Sequence, residues 1–163
     1  MENKSDVLIK ESGEDYYKDI VDSYTKNKYS KGRRSLEWPT YNKMLGELNL
    51  TNEDIIDLAC GSGFWTQNIR NRTKGKVYGV DISEPMIAKA KSFLSDHEDI
   101  TYIVADCSMV PLPIDHKFDI VSATFLLQYA NSEDMLERFV KNIYNLLKPG
   151  GKLIGLNFNM YFT

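Results

Sequence analysis

The chain has 163 residues, 42% of them hydrophobic and 26% charged, with a net charge of −3 at pH 7, which suits one globular domain with a real core. An acidic balance without a long basic block excludes a surface built mainly to neutralise a phosphate backbone, so no nucleic-acid partner is expected. The opening residues lack the apolar core of a secretory signal and no apolar run approaches bilayer-spanning length, so a cytoplasmic protein without a membrane partner is expected.

Residues 1–13 are polar. Over 14–26, Tyr17, Ile20, Val21 and Tyr24 share one face of an amphipathic helix. Lys26, Lys28, Lys31, Arg33 and Arg34 then surround Gly32 in a basic loop, which reads as a solvated face or as an anion contact. A second helix is expected from Ser35 or Trp38 to Leu48, with Pro39 in its first turn. From residue 54 the pattern becomes regular. Strands are expected over 54–58, 76–80, 100–104, 118–123 and 152–157, and helices over 64–72, 84–94 and 132–147. Ser83 can cap the helix at 84, with Glu84 and Pro85 in its first turn. Asn131 with Asp134 offers a looser cap for the helix at 132. That helix places Met135, Leu136, Phe139, Val140, Ile143, Leu146 and Leu147 on a core-facing side, and Lys148-Pro149-Gly150-Gly151 should end it and turn into the last strand.

Strands alternating with helices predict an α/β fold, a Rossmann-like three-layer sandwich around a mostly parallel sheet. Ligands of such sheets sit at the carboxyl ends of the strands, where the strand order reverses. Asp57-Leu58-Ala59-Cys60-Gly61-Ser62-Gly63 falls at the first of those ends. Glycines at i and i+2 allow a sharp turn and a close ligand, although a plain structural turn would use them too. Asp81 closes the second strand and can accept from the cis hydroxyls of a ribose, or serve only as a helix N-terminal acid. Asp106, just after the third strand, can accept from an exocyclic amine such as that of adenine. Ile82 and Met86 are placed to cover ring faces or to pack in the core.

Thr66 stands where a dinucleotide fingerprint wants its third glycine, and no Gly-x-x-x-x-Gly-Lys-Ser/Thr loop is present. Cys60 and Cys107, the two cysteines, read as reduced, buried residues rather than as nucleophiles or metal ligands. His97 and His116 precede the third and fourth strands, at the ends away from the expected site, so neither is assigned as a base and no catalytic residue is named.

Taken together, Asp57 to Gly63, Gly79-Val80-Asp81-Ile82-Ser83, Ala105-Asp106-Cys107, Phe118-Asp119-Ile120-Val121 and Leu147-Lys148-Pro149-Gly150-Gly151-Lys152-Leu153 resemble the ordered signature of class I S-adenosylmethionine-dependent methyltransferases. Tyr17-Lys18-Asp19-Ile20-Val21-Asp22-Ser23-Tyr24 is similar to a segment of their small-molecule branch. The resemblance implies five strands in the order 3-2-1-4-5, a helical cap segment at 1–50 and a cofactor-binding domain at 51–163. It implies S-adenosylmethionine as cofactor, S-adenosylhomocysteine as product, and no metal. Asp57, Ala59, Gly61 and Gly63 would line the methionine and ribose part, Asp81 would hold the ribose hydroxyls, and Asp106 the adenine amine, with Cys107 beside it. Thr124 and Phe125 would lie near the transferable methyl, and Tyr17 and Tyr24 would close over the cofactor. The implied reaction is in-line methyl transfer to a small-molecule acceptor. A cofactor-binding but inactive regulatory or assembly domain is the rival reading. Family members carry two further strands after the fifth, so the expectation is a shortened chain or fragment, or a homodimer or partner chain completing the sheet at an apolar fifth strand.

Overall fold

The computed structural model describes residues 21, 23, 31–48, 50–93 and 99–158. Its elements in chain order are α1 (Lys31–Glu47), β1 (Ile55–Leu58), α2 (Phe64–Arg70), β2 (Val77–Asp81), α3 (Glu84–Ser92), β3 (Ile100–Val104), β4 (Phe118–Ser122), a 3-10 turn (Leu127–Tyr129), α4 (Glu133–Leu146) and β5 (Leu147–Ile154). The strands form one sheet in the order β3-β2-β1-β4-β5, and every pair is parallel. This is the expected Rossmann-like architecture. β1 takes the centre because all four of its residues are buried, a sequence that suits a strand covered on both faces.

The side-chain period of two sorts the core into two layers. Ile55 faces Tyr41, Leu45, Trp65, Ile69, Ile87 and Ile100, the side covered by α1, α2 and α3. Ile56 and Leu58 face Phe118, Val121, Phe139, Ile143 and Leu146, the side covered by α4. On the first side an aromatic cluster joins α1 to α2. Trp38 stacks on Trp65 with centroids 5.9 Å apart, and Tyr41 lies 4.3 Å from the same ring. Burying one such aromatic contributes roughly 1.5–3 kcal/mol.

That burial explains why α1 departs from the expected helix. It opens at Lys31, so part of the basic segment is helical rather than looped, and Pro39 lies in its interior rather than its first turn. An interior proline costs about 3 kcal/mol. Tyr41 and Leu45, both essentially inaccessible, offset it from the following turns. The helix expected over 14–26 lies, except for helical residues 21 and 23, outside the described residues, as do Tyr17, Tyr24 and His97.

Three further expectations change near the C-terminal half. Ser132, in an extended conformation, caps α4 by accepting from the Met135 N–H at 3.2 Å, so the cap is Ser132 and not Asn131. The buried face of α4 is Phe139, Asn142, Ile143 and Leu146, whereas Leu136 and Val140 are 40% and 51% exposed. The rotation has a physical cause, a buried amide at 142 that the apolar pattern conceals. β5 starts at Leu147 without an intervening turn. Leu147 already pairs with Phe118, and the Pro149-Gly150-Gly151 segment forms an irregularity within the ladder, with Gly150 at φ 80°. The expected cap of α3 holds: Ser83 accepts from the Met86 N–H at 3.4 Å.

Candidate cofactor-binding site

The register of the sheet lines up Tyr102, Gly79, Asp57 and Ser122 in one row across β3, β2, β1 and β4. In a parallel sheet such a row shares one face, here the face under α1 and α2. Gly79 is the gap in the row, and the Tyr102 ring fills it. A Cβ on Gly79 would stand 2.6 Å from Tyr102 Cε1 and 3.1 Å from Cys60 Sγ, and one on Gly63 would overlap the Tyr102 hydroxyl. Tyr102 thus forms a floor from the edge strand to the underside of the 57–63 loop. Both glycines are required by that approach, and Gly63, at φ 80°, also by its backbone.

Asp57 is 1% exposed, and its carboxylate is held from two sides. Thr66 Oγ1 on α2 donates to Oδ2 at 2.8 Å, and Ser122 Oγ on β4 donates to Oδ1 at 2.7 Å. Ser122 Oγ also lies 2.7 Å from Tyr41 Oη. A serine has one hydroxyl proton, already given to Asp57, so Tyr41 must be the donor in that second bond. Burial, with the Asp57 charge adding to it, raises the Tyr41 phenol well above its ordinary pKa, which keeps this donor proton in place. The carboxylate at the end of β1 therefore ties α1, α2 and β4 to the loop.

Asp81 makes the second junction. Its Oδ2 accepts from the Gly61 N–H at 2.7 Å and its Oδ1 from the Ser83 N–H at 2.9 Å, so one carboxylate joins the loop after β1 to the cap of α3. Burial raises its pKa above the usual carboxylate range, against the opposing pull of those two N–H donors. Asp106 builds a third loop, with Oδ1 accepting from the Ser108 N–H at 2.7 Å. Ile82 is 41% exposed at the end of β2, whereas Met86 is 1% exposed and part of the interior.

Among the described residues two non-glycines adopt left-handed backbone angles, Ala59 at φ 56° and Phe125 at φ 66°. Both lie at carboxyl ends of central strands, β1 and β4. Conformations of this kind cost about 1–3 kcal/mol and gather at functional sites. The Ala59 backbone acts on the Cys107 thiol by a hydrogen bond that opposes the effect of burial on it. Phe125 is held by its N–H to Leu156 O at 2.6 Å and by the Phe158 ring at 5.1 Å. Thr124 is buried beside it. Burial pushes the Cys107 thiol up to about 12 and the Cys60 thiol well above its usual value, which favours the protonated thiol at neutral pH. Ser62, 2% exposed in the middle of the loop, has a hydroxyl without a hydrogen-bond partner among the described residues.

The structure thus brings Asp57, Ala59, Gly61, Gly63, Asp81, Ile82, Asp106, Cys107, Thr124 and Phe125 to the carboxyl side of the sheet. It adds residues that the sequence reading passed over: Tyr41, Ser122, Tyr102 and Asn142. Ser122 carried one faint signal, a hydroxyl inside the otherwise apolar run Ile120 to Ala123. His116 is at the opposite end, with Nε2 2.9 Å from Asp54 Oδ2. Among the described residues no three His, Cys, Asp or Glu side chains cluster as a metal would need, and no helix is long and apolar enough to cross a membrane.

A parallel sheet in the order 3-2-1-4-5, with a glycine loop after its central strand and acids after the next two, is a Rossmann-like nucleotide-binding arrangement, the architecture of class I methyltransferases among others. Residues 55–151 match the methyltransferase-domain family, and the chain belongs to that family, in its S-adenosylmethionine-dependent class. It is 34% identical over 115 residues to the demethylmenaquinone methyltransferase of Lactococcus lactis subsp. lactis, covering 69% of this chain and 44% of that protein. A solved S-adenosylmethionine-dependent methyltransferase from Mesorhizobium loti is 30% identical with a TM-score of 0.62, covering 73% of this chain and 52% of that one. The DhpI–SAM–HEP complex shares the fold at 22% identity and a TM-score of 0.75, covering 91% and 65%. The chain spans less than half the length of the curated relatives it matches.

Proposed function

We propose that this chain is the cofactor-binding part of an S-adenosylmethionine-dependent methyltransferase that acts on a small molecule. The observation that carries the reading is the Asp81 carboxylate. It is buried at the carboxyl end of β2 and already joined to the glycine loop through Gly61, as a receptor for vicinal hydroxyls needs to be. The residues fit the group. The loop backbone is free of Cβ atoms at Gly61 and Gly63, and Ser62 holds a buried hydroxyl in need of a partner. Asp81 would accept from the ribose hydroxyls, Asp106 from the adenine amine, and Ile82 would flank the ring. Asp57, Ala59, Gly61 and Gly63 would line the methionine and ribose part. Cys107, Thr124, Tyr17 and Tyr24 complete the proposed set, with residues 1–50 as its cap, and Met86 packs in the interior.

When bound, S-adenosylmethionine supplies a methyl on a positively charged sulfur, already a good leaving group. The work left to the chain is to orient and to exclude water, terms that together lower a barrier by several kcal/mol. Asp57 and Asp81 serve this by locking the loop from both sides before any ligand arrives. The Lactococcus relative's name, a demethylmenaquinone methyltransferase, supports a small-molecule acceptor. Leu153, 48% exposed on β5 at the sheet edge, supports the addition there of a partner chain or a second copy.

The test is calorimetric titration of S-adenosylhomocysteine into the wild type and Asp81→Ala. Binding should weaken by about 1–3 kcal/mol in the variant. A folded wild type that does not bind the ligand, or binding indifferent to Asp81, refutes the proposal.

A further inference from the structure

We propose that Asn142 is a positioning residue for the adenine end of the cofactor, fixing the turn that presents the Asp106 carboxylate; this rests on the cofactor reading above. Asn142 is 1% exposed, set among Phe139, Ile143 and Leu146 on the buried face of α4. An amide in such a place is costly unless its polar atoms are paired. Its Nδ2 donates to Cys107 O at 2.8 Å and to Met109 O at 2.5 Å. Nδ2 has two hydrogens, so one short loop takes its whole donor capacity.

That loop is the Asp106 loop. The Met109 N–H donates to Asp106 O at 3.0 Å and the Ser108 N–H to Asp106 Oδ1 at 2.7 Å, closing a tight turn. Asn142 grips the outward carbonyls of the same turn from a helix that follows β4. Two consequences follow for Asp106. The turn takes up Oδ1, while Oδ2 has no hydrogen bond among the described residues. The direction of the carboxylate is set by a backbone that Asn142 anchors across 35 residues of sequence. An amine donor meeting Oδ2 gains only if that direction is held, because a hydrogen bond weakens steeply with misalignment.

The experiment uses two probes on the full chain: S-adenosylhomocysteine, and S-inosylhomocysteine, in which a carbonyl oxygen replaces the adenine amine. The wild type should prefer the first by tenfold or more, on the order of one charge-assisted hydrogen bond. Asn142→Asp keeps the shape and removes one donor when its carboxyl is protonated and both when it is ionised. It should weaken S-adenosylhomocysteine roughly tenfold and S-inosylhomocysteine less than threefold, cutting a tenfold preference to about threefold or less. Asn142→Ser, which retains one donor, gives the same comparison if the aspartate variant does not fold. Equal weakening of both ligands, or an unchanged preference, overturns the proposal. A wild type that binds both ligands equally also overturns it while leaving the cofactor reading standing. A wild type that binds neither refutes the cofactor reading and the proposal with it.

Discussion

Gly79→Ala tests the row of residues under the glycine loop. The added methyl would lie 2.6 Å and 2.7 Å from two carbons of the Tyr102 ring and 3.1 Å from Cys60 Sγ. Tyr102 is itself buried and its hydroxyl abuts Gly63, so the ring cannot retreat without lifting the loop. Overpacking of this kind costs about 1–3 kcal/mol. The lost flexibility of glycine in the unfolded chain returns about 0.4–1 kcal/mol. The expected net loss is about 1–2 kcal/mol, a fall in Tm of about 2–8 °C for a chain of this size. Urea denaturation of Gly79→Ala, Tyr102→Leu and the double variant isolates the cause. The leucine vacates the volume that the methyl needs, so the glycine substitution should cost at least about 1 kcal/mol less in that background. The same loss in both backgrounds would refute the argument that Tyr102 occupies the gap. Cofactor affinity should fall with Gly79→Ala alone, because the displaced hydroxyl lies under Gly63.

The Asp57 junction makes a graded prediction. Tyr41→Phe removes one neutral hydrogen bond and should cost about 1 kcal/mol, whereas Ser122→Ala takes a donor from a buried carboxylate and should cost about 1.5–3 kcal/mol. Equal losses in urea denaturation would contradict the assigned direction of the proton chain. Acid should separate binding from folding. Burial raises Asp81 above the usual carboxylate range. Burial also raises Asp54, but the Lys76 N–H, His116 and Lys148 outweigh it, leaving Asp54 below that range. The stabilisation from Asp54 is full above its unfolded pKa and is lost as pH falls through its lower folded value; Asp81, with its raised pKa, contributes the opposite way. On acidification Asp81 protonates first. S-adenosylhomocysteine affinity should therefore drop at a higher pH than the one at which circular dichroism reports unfolding. Coincident transitions would count against Asp81 as the receptor.

The sheet was legible because its strands are short apolar runs between turn residues, and β3 falls on the expected residues 100–104. Asp81 was legible too, since a lone acid at the end of an apolar strand stands out. The fifth strand misled because Pro149, Gly150 and Gly151 are turn residues, while here they sit inside a ladder that already begins at Leu147. Pro39 misled because helix rules weigh the proline and not Tyr41 and Leu45, whose burial keeps the helix going. Tyr41 and Ser122 could not be paired from sequence: they are 81 residues apart, and a hydroxyl contact leaves no periodicity. Asn142 was hidden by its neighbours, because an apolar helix face reads as continuous even when one polar residue on it is paired elsewhere.

Tyr41 also bears on how such proteins are recombined. The family match begins at residue 55, yet a donor that completes the wiring of Asp57 comes from upstream of it. A chimera that exchanges N-terminal segments at that border inherits position 41 from one parent and position 122 from the other. Grafts should therefore be chosen as hydroxyl pairs, Tyr with Ser or Phe with Ala, because a mismatched pair would leave half of a contact in a dry interior.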